Sequence, residues 1–151
     1  MSIAKIPEVA SQIVKPSLFS GIQFPLGILT PAVVPFQVKI TNENLKIVED
    51  WVNKSDWIKF MCEDKNSRSA TSITLLIKDE WFTKFNEEEQ RGVLKKLFSV
   101  LDKEGVAKDI NGYPKAPPSI RIWGGSTVQN NDMKALLPWI DWAYHTVKSS
   151  A

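Results

Sequence analysis

The sequence predicts an α+β domain: a two-layer sandwich in which a small, mostly antiparallel sheet carries helices on one face. Three observations predict it. Amphipathic helical stripes and short β-type runs follow one another in the order α, β, β, α, β, β, α. Hydrophobic residues make up 43% of the 151, with six Trp and seven Phe among them, enough to bury a core. The regular periodicity begins only near residue 41, which confines the folded unit to a single domain of ordinary size.

Before that point Pro7, Pro16, Pro25, Pro31 and Pro35 interrupt a mostly apolar stretch. Proline fixes φ and lacks the amide hydrogen, so neither a long helix nor a central strand is expected there. Residues 1–40 therefore read as an extended, Pro-rich arm. Its apolar runs, Leu26-Gly27-Ile28-Leu29 and Ala32-Val33-Val34, want a surface to lie on. Residues 41–148 form the domain and residues 149–151 a tail.

Within the domain, Asn42 is placed to cap a first helix, with Leu45, Val48 and Val52 as its apolar stripe and Trp51 beside it. Two β-type runs follow, Trp57 to Met61 and Ala70 to Ile77, separated by a polar turn over residues 63–67. Asn86 and Glu89 have the spacing of a capping box. Leu94, Leu97, Phe98 and Leu101 then share one helical face, and Gly105 supplies the left-handed stop. Val106 to Ile110 is expected to form a short strand. Ser119 to Trp123 forms another, with Ile120 and Ile122 facing inward and Arg121 and Trp123 outward. The last helix begins near Asn131. Pro138 interrupts its apolar face, which predicts a kink or a division into two.

Charge and motifs narrow the chemistry. A net charge of +2 is too small to argue for nucleic acid or an anionic membrane. No apolar run reaches the roughly 20 residues of a membrane helix, and the first residues lack the pattern of a signal peptide. Cys62 is the single cysteine, so no internal disulfide forms and a reducing, cytoplasmic setting is expected. There is no HExxH, CxxC, P-loop or GxGxxG. His145, near the end of the last helix, is accounted for by the helix dipole.

Arg121 stands out among only three arginines, the others being Arg68 and Arg91. A guanidinium projecting from a strand is fixed in direction, and its planar fork matches a carboxylate. Gly124-Gly125-Ser126-Thr127 follows at once, allowing close approach of a backbone or ligand. The structural alternative is that Arg121 pairs with an internal acid while the glycines make a bulge. Tyr113, Pro114, Lys115, Pro117 and Pro118 form a stiff loop leading into this strand. In that loop Lys115 either offers an anion a point charge or is one of many solvated lysines. The hydroxyls of Ser69, Thr71 and Ser72 form a cross-strand ladder or the wall of a polar site, the structural role fitting better.

The string from Pro117 to Val128, PPSIRIWGGSTV, resembles the corresponding stretch of phosphoserine aminotransferases of the alphaproteobacterial type. So do Ala135 to Tyr144, Arg68 to Ser72, and Glu49 to Val52 followed by Trp57-Ile58, in the family's order, from about Asn44 to Val147. The resemblance implies the small domain of a fold-type I, class V aminotransferase that uses pyridoxal phosphate. The intact enzyme is a dimer and interconverts phosphohydroxypyruvate plus glutamate with phosphoserine plus 2-oxoglutarate, in serine biosynthesis. It implies that Arg121 binds the substrate α-carboxylate and that Tyr113 belongs to the substrate wall. The family's arginine after that tyrosine is replaced by Pro114, with Lys115 next, and Ala70 stands where related sequences carry asparagine.

Nothing before Asn44 resembles the large domain, which holds the cofactor's lysine, the ring-stacking aromatic and the phosphate cradle. The expectation is a partial aminotransferase that grips a small carboxylate, binds no cofactor covalently and is inactive alone. Two other readings stay open: an interaction or regulatory module that docks on a large-domain chain or pairs as a homodimer, and a stand-alone carboxylate-binding domain.

Overall fold

A computed structural model of the protein describes residues 33–151. Four helices and three strands follow one another: α1 (Val33–Lys54), β1 (Ile58–Phe60), β2 (Ser72–Ile77), α2 (Glu80–Thr83), α3 (Glu87–Lys103), β3 (Ile120–Trp123) and α4 (Asn130–Ser149). The sheet is antiparallel throughout, in the order β1-β2-β3. Its register pairs Ile58 with Ile77, Phe60 with Leu75, Leu75 with Ile120 and Ile73 with Ile122. All of these side chains are buried on one face. Period-two alternation thus assigns every inward residue of the three strands to the same layer. Against it lie Val48 and Val52 of α1, Leu94, Leu97 and Leu101 of α3, and Met133, Leu137, Ile140, Ala143 and Val147 of α4. Each fully buried aliphatic side chain among them contributes on the order of 1.5–3 kcal/mol. The expected α+β sandwich is the fold of the domain.

Local sequence accounts for most element ends. In α3 the Asn86 side chain accepts from the Glu89 amide while the Glu89 carboxylate accepts from the Asn86 amide, completing the capping box. At the other end Gly105 adopts φ +68°. Its amide donates to Asp102 O and that of Val106 to Leu101 O, the paired bonds of a Schellman stop. The polar turn at residues 63–67 is a single 3-10 turn, Lys65–Ser67, with Asp64 accepting from the Asn66 amide and the Ser67 hydroxyl.

Four expectations are corrected. Asn42 is no cap, because α1 starts at Val33 and carries Asn42 on its exposed surface. Pro35 is the third residue of that helix, where the missing amide hydrogen has no intrahelical acceptor to lose. The fourth strand, expected at Val106 to Ile110, does not form. Asp109 takes φ 53°, which turns the chain, and pairing with β3 shrinks to one bridge between Asn111 and Ile120. Of the kink or division expected at Pro138, the division does not occur: α4 continues through it, with buried residues before it (Met133, Leu137) and after it (Trp139, Ile140) on one core. Finally, of the extended arm expected over residues 1–40, residues 33–40 are instead the start of α1, and residues 1–32 lie outside the described residues.

Polar anchors fix the layers. Trp51 on α1 and Trp57 before β1 both donate their indole N–H to the Asp141 carboxylate of α4, at 2.8 and 2.9 Å. Tyr144 stacks on Trp57 with centroids 3.9 Å apart, and its hydroxyl donates to Asp79 Oδ2. Lys148 Nζ lies 2.5 Å from that same oxygen, and the Trp81 amide donates to the other, so Asp79 also caps α2. Burial alone would raise the Asp79 pKa, but donation from Lys148, Tyr144 and the Trp81 amide wins and brings it down to about 2. The Tyr144 hydroxyl is held above its ordinary range by burial first, then by its bond to Asp79 and the negative charge of that residue.

Candidate functional site

The inward faces of β2 and β3 are consumed by the core, which leaves the opposite sheet face and the loops flanking β3 to carry Arg121 and its neighbours. Arg121 pairs across the sheet with Thr74, and Trp123 with Ser72. Arg121 and Trp123 point away from Ile120 and Ile122, as alternation requires.

The Arg121 guanidinium is held from one side. Its Nε donates to Asn111 O at 3.1 Å, and Nη2 donates to Asp109 O at 3.3 Å and to Asp109 Oδ2 at 2.8 Å. The Tyr113 ring lies beneath it, with the guanidinium carbon 5.0 Å from the ring centroid. Tyr113 itself is 56% exposed and Trp123, the next outward residue of β3, 53%. Arg121 and Tyr113 are therefore brought together. Lys115 lies two residues further along the same loop, exposed and without an ion pair among the described residues.

The loop that carries Tyr113 and Lys115 is pinned at both ends. At its start the Gly112 amide donates to Ser119 O at 3.1 Å, and a Cβ on Gly112 would fall 2.2 Å from Ser119 Oγ. Near its end Arg91 Nη2 reaches from α3 to Ala116 O at 2.7 Å while also bonding Glu87 at 2.6 Å.

The loop after β3 is positioned from beneath by Asn44, which is completely buried in α1. Asn44 Nδ2 donates to Gly124 O at 3.2 Å and to Val128 O at 2.9 Å, and Asn44 Oδ1 accepts from Asn130 Nδ2 at 3.0 Å. The glycines have structural reasons to be glycines. A Cβ on Gly124 would lie 2.7 Å from Ala70 O, and one on Gly125 would lie 2.7 Å from the Trp123 indole. Trp123 Nε1 in turn donates to Thr127 Oγ1 at 3.3 Å.

The other arginines are structural. Arg68 bonds Glu49 Oε1 at 2.7 Å and Cys62 O at 3.0 Å, and its guanidinium carbon sits 3.9 Å from the Phe60 ring centroid. Arg91 is the loop anchor just described. Ser69 Oγ accepts from the Ser72 amide and contacts Thr71 Oγ1, a local turn rather than a ladder. Cys62 is half-buried, its thiol 3.3 Å from Asp64 O, and His145 is exposed. No group of His, Cys, Asp and Glu among the described residues is arranged to hold a metal ion. No helix among them is long and apolar enough to cross a membrane.

Asp109, Asn44 and Arg91 were not legible as site residues. Asn44 had a signal: Ile40, Asn44, Val48 and Val52 recur at i+4 steps, so a polar residue occupies a buried stripe. Asp109 had none, because a φ above zero at an aspartate is a tertiary outcome.

No family model matches the chain. Over 111 residues, 74% of its length, the chain is 40% identical to phosphoserine aminotransferase of Methanosarcina barkeri and to that of Methanosarcina mazei. The chain is homologous to phosphoserine aminotransferases. It spans 27% of the length of each of these relatives, which agrees with the small-domain reading of the sequence. The family name implies pyridoxal phosphate in the intact enzymes, a cofactor that bonds covalently to a lysine amine. Among the described residues every lysine is exposed except the half-buried Lys148, which is bound to Asp79. These residues do not fit that anchor.

Proposed function

We propose that this chain carries the substrate-carboxylate side of a phosphoserine aminotransferase site. In this reading Arg121 grips the α-carboxylate of phosphoserine or glutamate, and Tyr113 walls the substrate beside it. Lys115 adds a positive charge for a second anionic group. The observation that carries the reading is the Arg121 guanidinium. It is held on the open sheet face by the Asn111 carbonyl, with Tyr113 against it, within a chain homologous to phosphoserine aminotransferases.

The reaction proposed for the complete site is the interconversion of phosphohydroxypyruvate plus glutamate with phosphoserine plus 2-oxoglutarate. When bound, pyridoxal phosphate supplies the electron sink for that exchange. What the residues described here do is bind and orient. A planar fork fixes the carboxylate plane, and the Tyr113 ring keeps water off one side of it. The lysine comes from sequence outside the described residues or from another chain, either a large-domain chain or a second copy. The described domain alone turns nothing over. A cytoplasmic setting fits the single unpaired thiol.

The test has two arms. Incubating the chain with pyridoxal phosphate, reducing with borohydride and mapping peptides by mass spectrometry is expected to show no lysine modified stoichiometrically. One lysine fully labelled would place the anchor within the chain and overturn that half of the reading. Titration with L-phosphoserine, followed by backbone amide shifts, is expected to show saturable binding that Arg121→Ala removes. Equal binding by both proteins overturns the other half.

A further inference from the structure

The carboxylate that Arg121 holds in the free domain is its own. Asp109 Oδ2 sits 2.8 Å from Nη2, in the place where one oxygen of an incoming carboxylate would bond. We propose that Asp109 is an internal stand-in for the substrate carboxylate, displaced when substrate binds, and so sets the affinity and the anion selectivity of the site. The inference rests on the reading of Arg121 as the carboxylate-binding residue.

The pair is asymmetric in a way that decides which partner moves. The Arg121 side chain is 17% exposed and that of Asp109 83% exposed. Arg121 has three further restraints: Nε on Asn111 O, Nη2 on Asp109 O, and the Tyr113 ring. The Asp109 carboxylate makes no hydrogen bond or ion pair to any other described residue. Turning it into water gives up one ion pair from its exposed side, whereas moving the guanidinium would break the loop contacts that fix it. The Asp109 backbone is clamped beside β3 by the Arg121 amide on Ile110 O and by the bridge from Asn111 to Ile120. The side chain can therefore leave while the main chain stays. A bidentate grip needs Nη2 together with a neighbouring N–H, so a substrate and Asp109 compete for the same donor.

The stand-in has a further consequence. A negative charge kept at the mouth of the site opposes every anion, so a monodentate ion such as a halide gains less there than a carboxylate that replaces Asp109 with two bonds.

Asp109→Asn tests the proposal cleanly. Asparagine tolerates the φ 53° backbone at least as well as aspartate, and the carbonyl bond from Asp109 O to Arg121 is kept. The 151-residue chain and its variants Asp109→Asn and Arg121→Gln are titrated with L-glutamate, following backbone amide shifts. Asp109→Asn is expected to bind about two- to five-fold more tightly than wild type, the size of an ion pair whose aspartate stands in water. Arg121→Gln is expected to abolish binding in either background. If Asp109 instead orients Arg121, Asp109→Asn weakens binding, and the proposal is overturned. Unchanged affinity, with Arg121→Gln still abolishing binding, also overturns it while leaving the Arg121 reading intact. Absence of binding to wild type and Asp109→Asn alike, or binding indifferent to Arg121→Gln, removes both.

Discussion

Replacing Asn44 by leucine removes a buried hub that joins α1, the loop after β3 and the start of α4. The amide donates to Gly124 O and Val128 O and accepts from Asn130 Nδ2, and the side chain is completely buried. Leucine has a similar volume and no polar atom, so the perturbation is chiefly three lost hydrogen bonds. Each ordinary bond contributes about 1 kcal/mol net, and each buried group left without a partner costs about 1–3 kcal/mol. Two carbonyls lose their donor here; Asn130 also has Ile40 O at 3.5 Å as a weaker alternative. Added apolar burial offsets part of the loss. The expected destabilisation is about 3 kcal/mol, read by urea unfolding followed through tryptophan fluorescence, with the slope of the transition unchanged. Asn44→Ala should be at least as damaging, because it adds a cavity. If Asn44→Leu stays within about 0.5 kcal/mol of wild type, the hub is not what positions this loop.

Other outcomes follow from the same structure. Asp79 has a folded-state pKa near 2, below its unfolded value, so its contribution is fully present above pH 4 and is lost as pH falls toward 2. Asp79→Asn should cost about 1–2 kcal/mol at pH 7 and flatten stability against pH across that acid window, measured by urea unfolding at each pH. Gly124→Ala drives a Cβ to within 2.7 Å of Ala70 O and 2.9 Å of Ile73 Cδ1, so thermal unfolding should report a loss of about 1–3 kcal/mol. Gly105→Ala meets no neighbouring atom within 4 Å yet must adopt φ +68°, and should cost about 1 kcal/mol in the same assay.

Sequence patterns carried the fold where the determinants are local. The capping box at Asn86 and Glu89, the glycine stop at Gly105 and the alternation of Ser119 to Trp123 each depend on a few adjacent residues, and each formed as read. Failures came where a distant contact decides. Asn42 has the chemistry of a cap, yet the apolar residues before it extend the helix to Val33. Val106 to Ile110 has strand composition, but the backbone at Asp109 takes φ 53° and its carbonyl accepts from Arg121, so the chain leaves the sheet there. Pro138 reads as a kink or a break, and the core on either side keeps one helix. The candidate site divides along the same line. Arg121 and Tyr113 were visible from residue type and position, and the structure sets them against each other. Asn44 and the Asp141 link between Trp51 and Trp57 were not, because their partners lie 80 to 90 residues away.

The nearest probe of the central claim is the guanidinium itself. With three arginines in the chain, of which Arg68 and Arg91 are bonded to Glu49 and Glu87, the Arg121 Nε–H resonance can be assigned by Arg121→Lys and followed during addition of L-phosphoserine. The account predicts a saturable shift of that resonance alone. A titration that leaves it unmoved, or that moves the three arginine signals alike, contradicts the account.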